Sequence, residues 1–504
     1  MKKNEIKKLS EREHCLTRSS MYLGSIRRET HTDYVYESGS ITKQTLEYTS
    51  GLVKIINEIL DNAVDEAIRT SFKFSNKIEV QMDKTSFKVK DNGRGIPIHE
   101  VTIEKGEKIL SPVLAWTHAR AGSNFDDNST QIGANGVGSA LTNFFSKKFI
   151  GITRDGDQEC VVECLDNCEK VNVSLGKSKH KGTEVTSYPD FERFDEKEFS
   201  DSYFKLIQTR LYFLSIAYPN ITFSFNNKVI RMNTNTFLNT FSEREKVITN
   251  TENYIISLCL NETDELEHLT LLNGLTLKSG GSCVDFIVNG VSNIIKTKLS
   301  KKYPSIKTQD IKNKLLFVGV LRNFTDPKYD SQTKEKLTNS QKEVQDYFKI
   351  DLDELANKLY KNKEFISAVT DYYRIKEDYK RKQELKALEK TQKKIKSEKY
   401  TQSIGTEKYI FLCEGFSAVS SLQACLGRQN KGYFELKGKV ANVSEDNKVI
   451  TQNKELRELY QIIKSFNVNN PMYEITLDDK TYYARLEDTI IHDGKILEVK
   501  DLIK

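Results

Sequence analysis

EILDNAVDEA (Glu58–Ala67) and, after two short alternating runs, KVKDNGRGIP (Lys88–Pro97) form the stretch whose reading decides the fold. Leu52, Ile55, Ile56, Ile59, Leu60 and Ala63 recur at helical spacing, which predicts an amphipathic helix over residues 51–68. Glu58 and Asn62 are four apart and project from one face of that helix. KIEVQMDKTSFKVK (Lys77–Lys90) alternates as two strands with a turn near Asp83–Thr85 and runs into Asp91. Gly93 and Gly95 then let the backbone turn and approach a ligand with no Cβ in the way. A Glu can deprotonate an attacking water. An Asn oxygen can complete the shell of a Mg²⁺ that also holds phosphate oxygens. An Asp can accept from an exocyclic amine such as that of adenine. Singly, each reads as well as a solvated helix residue or a turn; together, in this order, they describe a nucleotide site.

Spelled DNAVDEA with DNGRGIP, the stretch resembles the ATP site of the GHKL (Bergerat-fold) ATPases. That superfamily includes type II topoisomerases, MutL-type repair proteins, Hsp90 chaperones and sensor histidine kinases. Within it the spelling looks most like a type II topoisomerase. The resemblance implies ATP as the nucleotide, Glu58 as the catalytic base and Asn62 as a ligand of the accompanying Mg²⁺. It places Asp91, Gly93, Gly95 and Ile96 around the adenine.

At 504 residues the chain has length for roughly two to four domains. A net charge of +6 with 29% charged residues leaves any nucleic-acid partner to be argued from local patches. No run of about 18 apolar residues occurs, and MKKNEIKKLSE at the start lacks a signal-peptide core, so a cytoplasmic protein away from membranes is expected. Of eight cysteines only Cys160, Cys164 and Cys168 cluster, at a four-residue spacing with no His nearby. That pattern fits reduced thiols better than zinc.

Ahead of the helix, RSSMYLGS (Arg18–Ser25) is similar to the RPGMYIGS stretch of topoisomerases, with Ser19 and Ser20 in place of Pro-Gly. The basic arm before it is implied to reach across to a second subunit. Beyond DNGRGIP a helix is expected over Ile109–His118. GANGVG (Gly133–Gly138) then precedes an apolar helix, and backbone N–H groups at such a start suit a polyphosphate. In this position it resembles the ATP lid, which implies nucleotide contacts from Gly133, Ala134, Asn135, Gly136, Val137, Gly138, Ser139 and Ala140. Gly122, Ser123 and Asn124 belong to the same lid, with Asn124 where bacterial enzymes carry a Lys. Strands follow, ending in HKGTEVTSYPDFERF, where Thr183 resembles the residue that supports the adenine-binding Asp.

The next part resembles the ribosomal-protein-S5-like transducer of the family. NYIISLCL, HLTLLNGLTLKSGGSCVDFIVNGVSNII and KLLFVGVLRNF read as strands, with a helix only after Asn293. Gly280-Gly281-Ser282 resembles the GGTH turn, with Cys283 where that motif has His. DPKYDSQTKEKLTN (Asp326–Asn339) carries Gln332-Thr333-Lys334, which matches the QTK loop. The resemblance implies that Gln332 and Lys334 meet the γ-phosphate, where an ammonium offsets the charge that builds as the bond breaks. The basic run over 374–399 reads as a long exposed helix, either a spacer or one wall of a channel for duplex DNA.

From Glu407 a further domain is expected. KYIFLCEGFSA (Lys408–Ala418) reads as a buried strand Tyr409–Cys413, then Glu414-Gly415, then a helix Ala418–Leu426. With ELKGKVANV and the helical ITQNKELRELYQIIKSFN it resembles a Toprim domain, with Phe416 in place of the usual Asp. Glu414 would be a Mg²⁺ ligand of a DNA-cleavage site, but the D-x-D strand that a complete site needs is missing, and Asp478-Asp479 reads as a hairpin turn. The fold class implied is a multidomain α+β and α/β chain: GHKL ATPase over 1–235, transducer over 236–400, partial Toprim over 401–467, and a divergent tail over 468–504. A chain of this outline is most similar to the large, ATP-hydrolysing subunits of T-even phage type II topoisomerases. Implied partners are duplex DNA, a second copy through the ATPase domain, and other subunits that carry the rest of Toprim and the cleavage tyrosine. A MutL-like repair ATPase is the alternative; it would share the ATP site but has no reason to carry the Toprim-like strand.

Overall fold

The computed structural model describes residues 9–103, 106–119, 136–331, 333–390, 397–437 and 454–467, with four strands within 472–498. The chain divides into two compact units, 1–372 and 373–504.

The first unit opens with helices α1 (Glu11–Thr17) and α2 (Ser19–Leu23) and a hairpin, β1 (Glu29–Glu37) and β2 (Ser40–Tyr48). Helix α3 (Ser50–Arg69) follows, as the periodicity predicts. Its apolar face, from Leu52 to Ala67, is buried in the main core together with Leu141, Phe149 and Phe194. Next come β3 (Lys77–Met82), β4 (Phe87–Asp91), a small hairpin of β5 (Glu100–Thr102) and β6 (Lys108–Leu110), and helices α4 (Ser111–Thr117) and α5 (Gly138–Phe144). The helix expected from Ile109 begins later. Ile109 and Leu110 pair with the strand before it, and Pro112, which lacks an N–H, is tolerated only in a first turn.

Strands β7 (Ser146–Asp155), β8 (Gln158–Leu165), β9 (Lys170–Lys177) and β10 (Lys181–Pro189), helix α6 (Asp201–Ala217), and β11 (Thr222–Phe225) and β12 (Lys228–Ile230) complete this part. They form an eight-stranded mixed sheet in the order β12-β11-β3-β4-β10-β7-β8-β9, with β11 and β3 parallel. The register sets Glu184 opposite Lys90 and Thr183 opposite Thr153. Thr183 thereby stands on the strand beside the end of β4, where Asp91 is, and Thr153 one strand further on.

After α7 (Thr234–Asn239), strands β13 (Val247–Asn250), β14 (Tyr254–Leu260), β15 (Glu267–Leu272) and β16 (Leu275–Thr276) precede helix α8 (Ser282–Leu299). Helix α9 (Thr308–Lys312) and β17 (Leu315–Leu321) follow, giving a sheet in the order β13-β14-β17-β15-β16. Every residue of β14 and β17 is buried. Here one expectation fails: Ser282–Asn293 is helix, not strand. Its Val and Ile content favours a strand, but Val284, Ile287, Val288, Val291, Ile295 and Leu299 fall on one buried face at helical spacing, and packing overrides propensity. Helices α10 (Gln341–Phe348) and α11 (Leu352–Lys361) pack on α8, and α12 (Lys363–Lys390) runs across the boundary between the units.

In the second unit β18 (Tyr400–Thr401), β19 (Ile404–Glu414), α13 (Phe416–Leu426) and β20 (Gln429–Leu436) build a sheet in the order β18-β20-β19. Strands β19 and β20 are parallel, joined through α13. The strand Tyr409–Cys413 is not buried as expected: Cys413 is, but Tyr409 and Leu412 are exposed. Among the described residues β19 is an edge strand, covered on the face where Cys413 meets Val419 of α13. The helix also starts at Phe416, two residues early, because Gly415 (φ +85°) turns the chain directly into it. A helix Lys454–Asn467 and two hairpins, Met472–Leu477 with Lys480–Arg485 and Thr489–His492 with Lys495–Glu498, follow. Asp478 and Asp479 lie outside the described residues. Among the described residues no helix is long and apolar enough to cross a membrane.

Candidate functional site

Helix α3 carries Lys54, Glu58, Asn62 and Glu66 at four-residue steps, a stripe along one face. Glu58 is 6% exposed, and Lys54 Nζ lies 2.5 Å from its Oε1. Burial opposes ionisation of Glu58, but the charges of Lys54 and Lys334 outweigh it and hold the carboxyl below its ordinary pKa. Asn62, one turn on, is exposed. The start of α5 closes over the carboxylate: a Cβ on Gly138 would stand 1.9 Å from Glu58 Oε2. Glycine is therefore the one residue type at 138 that lets α5 approach the Glu58 carboxylate this closely.

Gly136 (φ +60°) and Val137 lead into α5. The Ser139 hydroxyl donates to the Ala115 carbonyl at 2.8 Å, and Thr142 Oγ1 donates to the Ile55 carbonyl at 2.9 Å, tying α5 to α4 and to the Glu58 helix. Ala140 is wholly buried and packs in the core. Gly122, Ser123, Asn124, Gly133, Ala134, Asn135 and Gln332 lie outside the described residues.

At the end of β4, Asp91 Oδ1 accepts the Gly93 N–H at 2.7 Å, and the Thr183 N–H also donates to this carboxyl. Burial nonetheless pushes its pKa up to about 7, against both of these bonds and with help from the Glu66 charge. Gly95 (φ +80°) passes so close to the Arg154 carbonyl that a Cβ would sit 2.1 Å from it, and the next N–H, of Ile96, donates to Thr153 Oγ1 at 2.7 Å. Arg94 grips Glu66 in a fork, Nε to Oε1 at 2.8 Å and Nη2 to Oε2 at 3.1 Å, so the glycine turn is clamped to α3.

Lys334 reaches the same place from far along the chain. It is 7% exposed, on a loop residue with φ +59°. Burial and Lys54 lower its pKa, opposed by Glu58, Asp61 and Asp65. Its loop is held from below by the Gly280-Gly281 turn. The Leu337 N–H donates to the Gly280 carbonyl and the Ser282 N–H to the Leu337 carbonyl, both at 3.1 Å, and a Cβ on Gly281 would stand 2.2 Å from that carbonyl oxygen. Cys283, where the related motif has His, is fully buried with its thiol pushed up to about 12 by that burial. Thr333 hydrogen-bonds Ser331 through their hydroxyls at 2.7 Å, and its methyl lies against Gly24.

The structure thus brings Glu58, Gly138 and Lys334 together on one side of α3, and Asp91, Gly93, Gly95, Ile96 and Thr183 at its far end. Sequence reasoning missed Lys54, Glu66, Arg94 and Thr153. Only the four-residue steps from Glu58 could have pointed to Lys54 and Glu66. Cys164 and Cys168 both lie 3.2 Å from Asn143 Nδ2, and among the described residues no three His, Cys, Asp or Glu side chains are placed to hold a metal. In the second unit Glu414 stands exposed at the end of β19.

Family models match in two places: the histidine kinase-, DNA gyrase B- and HSP90-like ATPase over residues 47–193, and DNA gyrase B over 220–390. The DNA topoisomerase large subunit of Enterobacteria phage T4 is 33% identical over the whole of both chains. DNA topoisomerase 2 of Pisum sativum is 30% identical over 90% of this chain, which spans only 33% of that relative. The crystal structure of the ATPase region of Saccharomyces cerevisiae topoisomerase II superposes with a TM-score of 0.66 at 26% identity, covering 73% of this chain and 98% of that one. With the GHKL site, the transducer loop and the full-length match in agreement, the chain belongs to the type II DNA topoisomerases, among their large ATPase subunits.

Proposed function

We infer that this chain hydrolyses ATP to drive passage of one DNA duplex through a transient double-strand break in another. The observation that carries the reading is the burial of Lys334 against the charge of Glu58, which joins the transducer loop to the ATP-site helix. Glu58 deprotonates the attacking water. Lys334 meets the γ-phosphate and offsets charge as the bond to it breaks. Asp91 accepts from the adenine amine, with Gly93, Gly95, Ile96 and Thr183 shaping the pocket. The lid from Gly133 to Ala140, with Gly122, Ser123 and Asn124, closes on the phosphates.

The residues suit Mg²⁺ with the nucleotide: an exposed amide on Asn62 beside a buried base, and glycines where a Cβ would fill the cradle. Asn62 would hold the ion, which when bound neutralises phosphate charge. The chain pairs with a second copy through its ATPase domain to form an ATP-operated clamp, and works in the cytoplasm, that of the host if phage-encoded. Glu414 would hold a cleavage-site Mg²⁺ jointly with other subunits that bring the remaining carboxylates and the tyrosine. A MutL-like ATPase would share Glu58 and Lys334 but not the parallel β19-α13-β20 unit that ends on Glu414.

The test mixes the purified chain with plasmid, ATP and Mg²⁺, with and without the partner subunits. The chain alone should hydrolyse ATP without cutting DNA, and the reconstituted complex should form covalent protein–DNA adducts. Glu414→Ala should abolish those adducts. Adducts from the single chain, or full cleavage by the Glu414→Ala complex, would sink the shared-site reading.

A further inference from the structure

Asp61, on the flank of α3 beside Glu58, is 4% exposed and belongs to no nucleotide contact described above. Its Oδ1 lies 3.0 Å from Nη2 of Arg210, a residue of α6 that is itself 9% exposed. The other terminal nitrogen of Arg210, Nη1, donates to the carbonyl of Gly274 in the β15–β16 turn. One guanidinium therefore grips the ATP-site helix with one arm and the transducer sheet with the other. A planar fork can make both bonds at once; an ammonium cannot fix both in the same geometry.

The turn so held is rigid. Asn273 Nδ2 donates to the Phe324 carbonyl at 2.7 Å, and the Phe324 N–H donates back to Asn273 Oδ1 at 3.0 Å. Phe324 opens the segment that ends in Lys334. A second arginine repeats the tie: Arg322 Nη2 donates to the Ile216 carbonyl at the end of α6 at 2.8 Å. Helix α6 is thus the beam on which both α3 and the lysine loop are aligned.

Charge gives Arg210 a more specific task. Lys334 lies in the field of Glu58, Asp61 and Asp65, opposed by Lys54. Asp61 and Arg210 line the same cavity as Lys334 and Lys54, one of about 380 Å³ between α3, α6 and the transducer. An Asp61 carboxylate without its arginine would be a buried acceptor for the ammonium groups that share its cavity, Lys334 and Lys54, because an uncompensated buried charge is costly. We propose that Arg210 is a positioning residue for ATP hydrolysis: by occupying Asp61 while it holds the Gly274 turn, it stops that carboxylate from competing with the γ-phosphate for Lys334. This rests on the assignment of Lys334 to that phosphate.

The experiment measures ATP turnover and thermal unfolding of the full chain with Arg210→Gln, Asp61→Asn, Lys334→Ala and their pairs. Arg210→Gln should lower kcat by about 10-fold with KM changed less than about twofold, the scale of a misplaced group in a coupled network. Asp61→Asn in the same chain should restore most of the loss, because the competing carboxylate charge is gone. On the Lys334→Ala background Arg210→Gln should cost nothing further. If Arg210→Gln does not fold, Arg210→Lys serves, with a smaller kcat loss, about threefold, that likewise vanishes on Lys334→Ala. A folded Arg210 variant with full kcat, a loss that Asp61→Asn does not relieve, or a loss that adds to that of Lys334→Ala would overturn the proposal. Unchanged turnover in Lys334→Ala alone would instead sink the lysine assignment beneath it.

Discussion

Lys54 Nζ and Glu58 Oε1 stand 2.5 Å apart, one turn from each other on α3, with the carboxylate buried. The pair keeps the Glu58 carboxylate charged in a place where burial opposes ionisation. Glu58→Ala should therefore retain nucleotide binding and lose hydrolysis by about 10²–10⁴-fold. Lys54→Met should remove the larger of the two charges that offset burial at Glu58, with Lys334 left, so its pKa rises and the acid limb of kcat/KM against pH moves upward. The sign for stability is the same: a depressed carboxyl pKa stabilises the fold above the ordinary glutamate range, and this is lost as pH falls through the folded value. An acid limb unmoved in Lys54→Met would show that the lysine does not set the charge of the base.

Gly138→Ala places a methyl 1.9 Å from Glu58 Oε2, where no side chain fits without displacing the carboxylate. Turnover should fall by about 10²-fold, the scale of a base misplaced by an ångström. Thermal unfolding should change far less than turnover. Turnover within twofold of the parent would mean that Glu58 has room to step aside and still act.

Asp91 titrates near neutrality, with its pKa pushed up to about 7 chiefly by burial. Accepting from an adenine amine uses its ionised form, so ADP affinity should fall as pH is lowered from 8 to 6. It should approach about 10-fold per unit below the pKa. Asp91→Asn should flatten that dependence. Without nucleotide the sign reverses: a raised carboxyl pKa means the fold binds the proton more tightly than the unfolded chain, so this group's contribution to stability declines as pH rises from about 4 to about 7. Calorimetric titration of ADP across pH checks the first effect and thermal unfolding of the parent against Asp91→Asn the second.

Lys334→Ala should leave ADP affinity nearly intact while turnover drops, because ADP has no γ-phosphate for the ammonium to meet. Isothermal titration with ADP and with a non-hydrolysable ATP analogue separates the cases. Equal losses for both would indicate a general disturbance of the transducer.

The nucleotide site was legible where chemistry and local periodicity coincide. The period of Leu52 to Ala63 set the helix, Glu58 and Asn62 fell on one face by spacing alone, and Asp91 before two glycines declared a turn. Local pattern failed where packing decides. Ser282–Asn293 carries strand-favouring residues but lies on a helix because one face must bury against neighbouring helices. Tyr409 and Leu412 look like a core strand but sit on an edge, since a run of apolar residues does not state how many strands will flank it.

By itself the sequence determined the local make-up of the site: a carboxylate and an amide on one helix face, an Asp before two glycines and a lysine loop, each spelled within a few residues and each dependent only on side-chain type and local spacing. Tertiary structure alone decided which of these meet and with what charge. Lys54 sets the charge of Glu58 only because that carboxylate is buried, and Gly138 became indispensable only because α5 folds onto it. Arg94 found Glu66, and Arg210 found both Asp61 and Gly274, across separations that no local pattern encodes. Burial is the physical reason at Glu58, Gly138 and Arg210. It turns charges that water would screen into partners that must be matched, and matching depends on distance in space, not along the chain.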